Sequence, residues 1–375
     1  MSQRGLSVVE LLIALAVSVL LVGALVSALA PARAAFEATP ATLELQQRSR
    51  VGLEFLASAI RSAGAHRSGH PESAIGGSAI PAVIPAISQG ANESFSEVEV
   101  FSAVAGGAGG VLDLDQPAAD RAITLAPGGG CPRTPDVCGF TVGTVAAISD
   151  GHGRFDVFEV GSIDAVGMSL TSSRPLSAAY AAGARLFEVE VLRFSLGNQL
   201  DGSKSLVRTT AAGAAQPIVD GVTDLGFSLF GEGASPQITW DGESGWAEYG
   251  PVPPGLAWRD ARGDWPTGES CAVGRDAISA RSRLSDLGDR GALVPLARSV
   301  LQDGPWCAGG SAGSYDADLL RLRRVDISLR VEALTPMLRG PAGELFRHGG
   351  SGARSAVPWV PDRNVTMSVS LRNQR

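Results

Sequence analysis

The sequence predicts an α+β protein. One long N-terminal helix, apolar in its first half and amphipathic in its second, should pack on an antiparallel β-sheet head that carries a disulfide-stapled insertion. Three observations predict this. Residues 11–30 form an apolar run without a charge. After Pro40 the apolar residues recur at helical spacing as far as Gly64. Beyond Gly64, short segments alternate apolar and polar residues between Gly- and Pro-rich stretches, the pattern of half-buried antiparallel strands.

Composition narrows the function classes. The chain has 375 residues, 45% of them hydrophobic, so a large core can form. Its formal charge is −7, and no basic patch suggests nucleic acid as a partner. Lys204 is the only Lys among 31 basic residues, which fits GC-rich codon usage better than a function. The 47 Gly and 22 Pro gather in stretches such as "AVAGGAGG" and "RHGGSGARS", which read as surface turns.

The first element is the run from Leu11 to Ala30. Twenty helical residues span roughly 30 Å, the thickness of a bilayer core. Arg4 before it should stay cytoplasmic, which sends the body of the chain across the membrane. A secretory signal cleaved near Ala32-Arg33-Ala34, or a plain anchor, would share these features. Neither accounts for Glu10 at the head of the run, where a lone carboxylate costs about 2.5–3.5 kcal/mol.

"RGLSVVELLIAL" resembles the class III signal of type IV prepilins and pseudopilins: a short basic leader ending in Gly, an apolar residue, then Glu as the fifth mature residue. The resemblance implies cleavage after Gly5 by a prepilin peptidase, methylation of the new amine on Leu6, and Glu10 at mature position five. Most of the family has Phe where Leu6 stands. An ammonium on Leu6 would sit at the depth of Glu10, and opposite charges attract strongly in low dielectric. Glu10 would then register subunits, by pairing with its own amine or a neighbour's. The boundaries that follow are a leader at 1–5, a transmembrane part at 6–30, an amphipathic part at 31–64 and a head at 65–375.

In the second half of the helix, Val51, Leu53, Phe55, Leu56, Ala59 and Ile60 fall on one broad face. Gln47, Arg50, Glu54, Ser58 and Arg61 fall on the other. Gly64 should stop the helix, while Pro31 and Pro40 should kink or melt it. In the head, "SEVEVFSAV", "GRFDVFEVGSI" and "ARLFEVEVLRFSL" read as strands. Val325, Ile327, Leu329 and Val331 share one face of a later strand, and Val365, Met367, Val369 and Leu371 one face of the last. "PIVDGVTDLGFSLFG" reads as a turn or short helix leading into a strand.

These later segments resemble PilW-type minor pilins in order: "IRSAGAH", "IVDGVTDLGFSLFG", "LRRVDISLRVEA" and the terminal "VTMSVSLRN". With the signal they cover about a quarter of the chain. The resemblance implies a structural subunit without catalysis or cofactor. Its partners would be the prepilin peptidase, other major and minor pilins, the inner-membrane pilus assembly machinery and membrane lipid. The head would lie in the periplasm and later on a pilus, in a priming or tip complex serving motility, adhesion, DNA uptake or secretion. A type II secretion minor pseudopilin shares the layout. A soluble periplasmic binding protein or hydrolase, released near Ala34, is the alternative from another class.

The even number of Cys in an exported chain suggests two disulfides, Cys131–Cys138 and Cys271–Cys307. The second would staple an insertion at about 232–315 that holds five of the six Trp. There the Trp residues should fill a small core, with a recognition surface as the alternative, and "RDAISARSRLSDLG" should be its helical piece. Other signals fall away. The G-x-S-x-G around Ser311 lies in a Gly-rich loop after a Cys, without an elbow's strand and helix. Asp113, Asp115 and Asp120 lack EF-hand spacing, and His66 and His70 lack an acidic partner at metal spacing. Asn92 and Asn364 begin sequons by pattern only. No catalytic residue and no metal ligand is assigned.

Overall fold

The structure is a computed structural model. It describes residues 7–64, 80–86, 94–104, 106–128, 131, 137–150, 154–199, 202–211, 213, 215–233, 284–289, 291–310, 313–352 and 359–371, the side chains of 28–37 excepted. The fold is α+β. Among the described residues one α-helix, α1 (Val8–Ser62), leads into antiparallel sheets.

α1 starts at Ser7, whose Oγ accepts from the Val9 N–H, and runs 55 residues. It passes Pro31 and Pro40 as α-helix, so the expected melting does not occur. A proline removes a single backbone donor, and the turns on either side keep theirs. Apolar Val8–Ser27 lies bare, and burial begins only near Ala38. Leu45, Ser49, Leu53, Leu56 and Ile60 form the buried stripe, widened by the small residues Gly52, Ala59 and Ala63. Phe55 is half-buried, and Val51, expected on the packed face, is 45% exposed because it lies at the rim of that arc. Gly64 takes φ +67°, and its N–H reaches the Phe101 carbonyl at 2.8 Å, so the helix ends on its glycine.

The larger sheet begins with β1 (Val83–Pro85), β2 (Val98–Ala103), β3 (Gly109–Val111) and β4 (Ala122–Thr124). It continues with β5 (Val145–Ser149), β6 (Phe155–Asp164), β7 (Ser169–Ser172), β8 (Arg185–Asn198), β9 (Lys204–Thr210) and β10 (Ala215–Asp220). Its order is β1-β2-β8-β5-β6-β7-β4, with β3 and β9 also on β8 and β10 on β9. The 14-residue β8 is the spine on which the others assemble. The smaller sheet joins β11 (Val222–Glu232), β12 (Leu293–Pro295), β15 (Leu322–Val331) and β16 (Arg363–Ser370) in the order β12-β11-β15-β16. Between β12 and β15 lies the hairpin β13 (Trp306–Ala308) and β14 (Ser314–Asp316).

α1 packs on β15 and β16, with β10 and β2 alongside. Val325, Ile327, Leu329 and Val331 face it as the alternation predicts, each at most 1% exposed. The segment expected as a turn or helix before β11 is the strand β10. Gly221, at φ +71°, reverses the chain between the two. Alternation is weak in β10 because it is mostly exposed, so nothing in its pattern marks it as a strand.

A second apolar core lies away from the helix, built around Ile123, Phe140, Ile148, Phe158, Leu170 and Leu186. The Cys131–Cys138 disulfide forms at its edge. Cys307 is also disulfide-bonded and buried; its expected partner Cys271 lies outside the described residues. The connection from β11 to β15 joins two adjacent strands of the smaller sheet, and most of the Trp-rich stretch within it lies outside the described residues. Its expected helical piece is described only at its end, where Leu284–Gly288 is not helical. Hydrogen bonds from Ser285 N to Asp318 and from Leu287 N to the Gly233 carbonyl hold that end open. Trp306 is 50% exposed on β13, because the inward position there belongs to Cys307, so at this residue the expected Trp core does not form.

Candidate functional site

The N-terminal end of α1 carries the residues the sequence singles out. Gly5 and Leu6 lie outside the described residues. Glu10 is exposed, and its Oε2 accepts the Ser7 N–H at 3.0 Å. With the Ser7 hydroxyl on Val9 N–H, this closes a reciprocal capping box. The carboxylate thus sits on the first helical turn, at the positive end of the helix dipole. The apolar segment Val8–Ser27 around Glu10 lies bare, with mean hydropathy 2.7. Val8, Leu20 and Leu21 are each at least 65% exposed. An apolar surface of that extent is matched by lipid or by other helices, not by water.

At the other end, the helix is fixed to the head by polar contacts as well as burial. Arg48 Nη1 donates to the Asp220 carbonyl at 2.8 Å, and Nη2 donates to the Glu332 carbonyl at 3.2 Å. Burial, partly offset by Glu44, Asp220 and Glu332, lowers its pKa from the usual guanidinium value. Glu332 is itself held by Arg339 at 3.2 Å and His348 at 3.0 Å. Helix, β10 and the end of β15 therefore meet at one polar knot.

The remaining sequence candidates are dispersed. Asp115 accepts the Ala182 N–H, and Asp120 accepts the N–H groups of Arg121 and Ala122, so both shape turns. Asn364 pairs with Arg330 across β15 and β16. His66, His70, Asn92 and Ser311 lie outside the described residues.

One cluster escaped the sequence reading. Asp303, Asp316 and Asp318 each bring a carboxylate oxygen within 4.8 Å of the others. The hairpin β13–β14 folds Asp316 back toward Asp303, a proximity that spacing along the chain does not reveal; only Asp316-x-Asp318 hinted at it. Burial raises Asp316 to about 6, against the N–H donors of Asp318 and Gly304 that pull it down. Burial raises Asp318 as well, with Arg321 opposing.

Compared with known proteins, the chain matches no family model and no curated protein.

Proposed function

We propose that this chain is a minor pilin. It is a non-enzymatic subunit processed by prepilin peptidase after Gly5, held in the inner membrane by its first helix, and taken into a type IV pilus through that helix. The observation that carries the reading is the division of α1. Its first half is bare and apolar, its second half is buried in the head, and no break separates them. A rigid helix of this kind can pass from bilayer to a bundle of like helices without refolding the head. The capping box adds support, because it holds the Glu10 carboxylate on the N–H of Ser7, the residue that follows Leu6 in the sequence.

The continuous helix also favours retention over release near Ala34. Residues 32–34 are helical, whereas a peptidase binds its substrate as an extended strand. Lipid before assembly, and other pilins after it, would cover the apolar half.

The test is the intact mass of protein taken from membranes. Loss of residues 1–5 with one added methyl is expected, and Gly5→Ala should leave the full-length chain. A mature N-terminus at Ala35 would overturn the reading.

A further inference from the structure

The geometry points to a binding site for a hard divalent cation of the calcium class, formed by Asp303, Asp316 and Asp318. It stands apart from the assembly role and would hold whether or not that role does. Asp303 follows the 3-10 turn Val300–Gln302, Asp316 ends β14, and Asp318 is the second residue of the 3-10 turn Ala317–Arg321. Their carboxylate oxygens lie within 4.8 Å of one another.

Clustered carboxylates alone are common, and here a second observation points to a ligand. Asp318 is 0% exposed, yet among the described residues its Oδ2 has no hydrogen-bond partner. Its Oδ1 is engaged by Arg321 Nη2 at 2.9 Å and by the Ser285 N–H at 3.2 Å. The Ser285 side chain also hydrogen-bonds to this carboxylate, and Oδ2 is the oxygen left without a donor among the described residues. An enclosed acceptor with nothing to accept is costly, and proteins rarely leave one so. A cation would satisfy it.

Charge and chemistry agree. Arg321 offsets one of the three carboxylates, which leaves two negative charges for one divalent ion. Asp316 is oriented by N–H donors from Gly304 at 2.8 Å and Asp318 at 2.9 Å. The donors are all oxygen, which selects calcium, magnesium or manganese over zinc or copper. Access is open, since Asp303 is exposed and Asp316 lines a cleft of about 740 Å³ with Gln302 and Trp306. Water from that cleft could complete a coordination shell of six to eight oxygens. The ion would join the segment before β13 to the turn before β15, clamping the base of the hairpin.

Trp306 stands directly opposite Asp316 in the hairpin, which makes terbium a suitable probe. Full-length protein in detergent would be stripped with chelator, then titrated with terbium under tryptophan excitation. Saturable emission is expected, displaced by calcium, together with a calcium-dependent rise in Tm. Asp303→Asn, at an exposed position, should weaken terbium and calcium binding about tenfold or more. Asp318→Asn should abolish the calcium effect on Tm; if it does not fold, Asp303→Asn carries the test alone. Absence of saturable emission in wild type, or unchanged affinity in Asp303→Asn, would overturn the site.

Discussion

At the scale of single residues, Arg321 is the most informative side chain of the head. Both it and Asp318 have side chains 0% exposed, 2.9 Å apart. Its guanidinium also donates to the carbonyls of Gly233 and Ser285. Those two residues flank 234–283, so one cation fastens both ends of the long connection to the 3-10 turn before β15. Buried pairs of this kind add little net stability over an apolar pair, but breaking one is expensive. Arg321→Met should therefore destabilise the head by about 3–5 kcal/mol, read from urea midpoints. Adding Asp318→Leu should restore part of that loss, since no unpaired charge then remains. A double variant no more stable than the single one would mean the guanidinium acts through packing, not charge. In the sequence, Arg321, Arg323 and Arg324 look alike. Arg321 alone of the three is buried, because it lies in the turn where the alternation of β15 has not begun, and no periodicity marks it.

At the scale of elements, legibility followed periodicity. The faces of β15 and β16 and the polar face of α1 could be read because a single face of each is covered, and coverage imposes alternation. β10 could not, being mostly exposed, and the two prolines did not melt the helix because the flanking turns keep their donors. Gly52 is a position where the helix needs a glycine for space. A Cβ there would stand 2.9 Å from Leu329 Cδ2 and 3.4 Å from Val219 Cγ2. Gly23, in the bare half, would meet nothing within 4 Å. Intrinsic propensity favours replacing either glycine, by about 0.8–1 kcal/mol for Ala. Crowding against β15 should reverse that sign at Gly52 for a branched side chain. Gly52→Val should cost the head about 1–3 kcal/mol, while Gly23→Ala should leave its thermal midpoint unchanged. Equal midpoints for both variants would show that helix and sheet can separate at little cost.

At the scale of the whole molecule, one helix connects two environments, and Glu10 stands at its far end. In the capping box the carboxylate is satisfied locally by the Ser7 N–H. On the proposed function, cleavage after Gly5 would add an ammonium on Leu6 within the same turn. The pair could then close within one subunit or between neighbours, and only the second arrangement would register docking. Glu10→Ala should not weaken insertion, because it removes a charge from an apolar segment. It should instead reduce crosslinking to other pilins in the membrane, before any fibre forms, because an unpaired ammonium is left in low dielectric. Glu10→Gln separates charge from helix capping. The amide oxygen can still accept the Ser7 N–H, so the capping box survives while the charge does not. Crosslinking lost in both variants would assign the role to charge; crosslinking lost in Glu10→Ala alone would assign it to the cap. Normal crosslinking in both would remove Glu10 from docking altogether, leaving the bare apolar half of α1 to direct it.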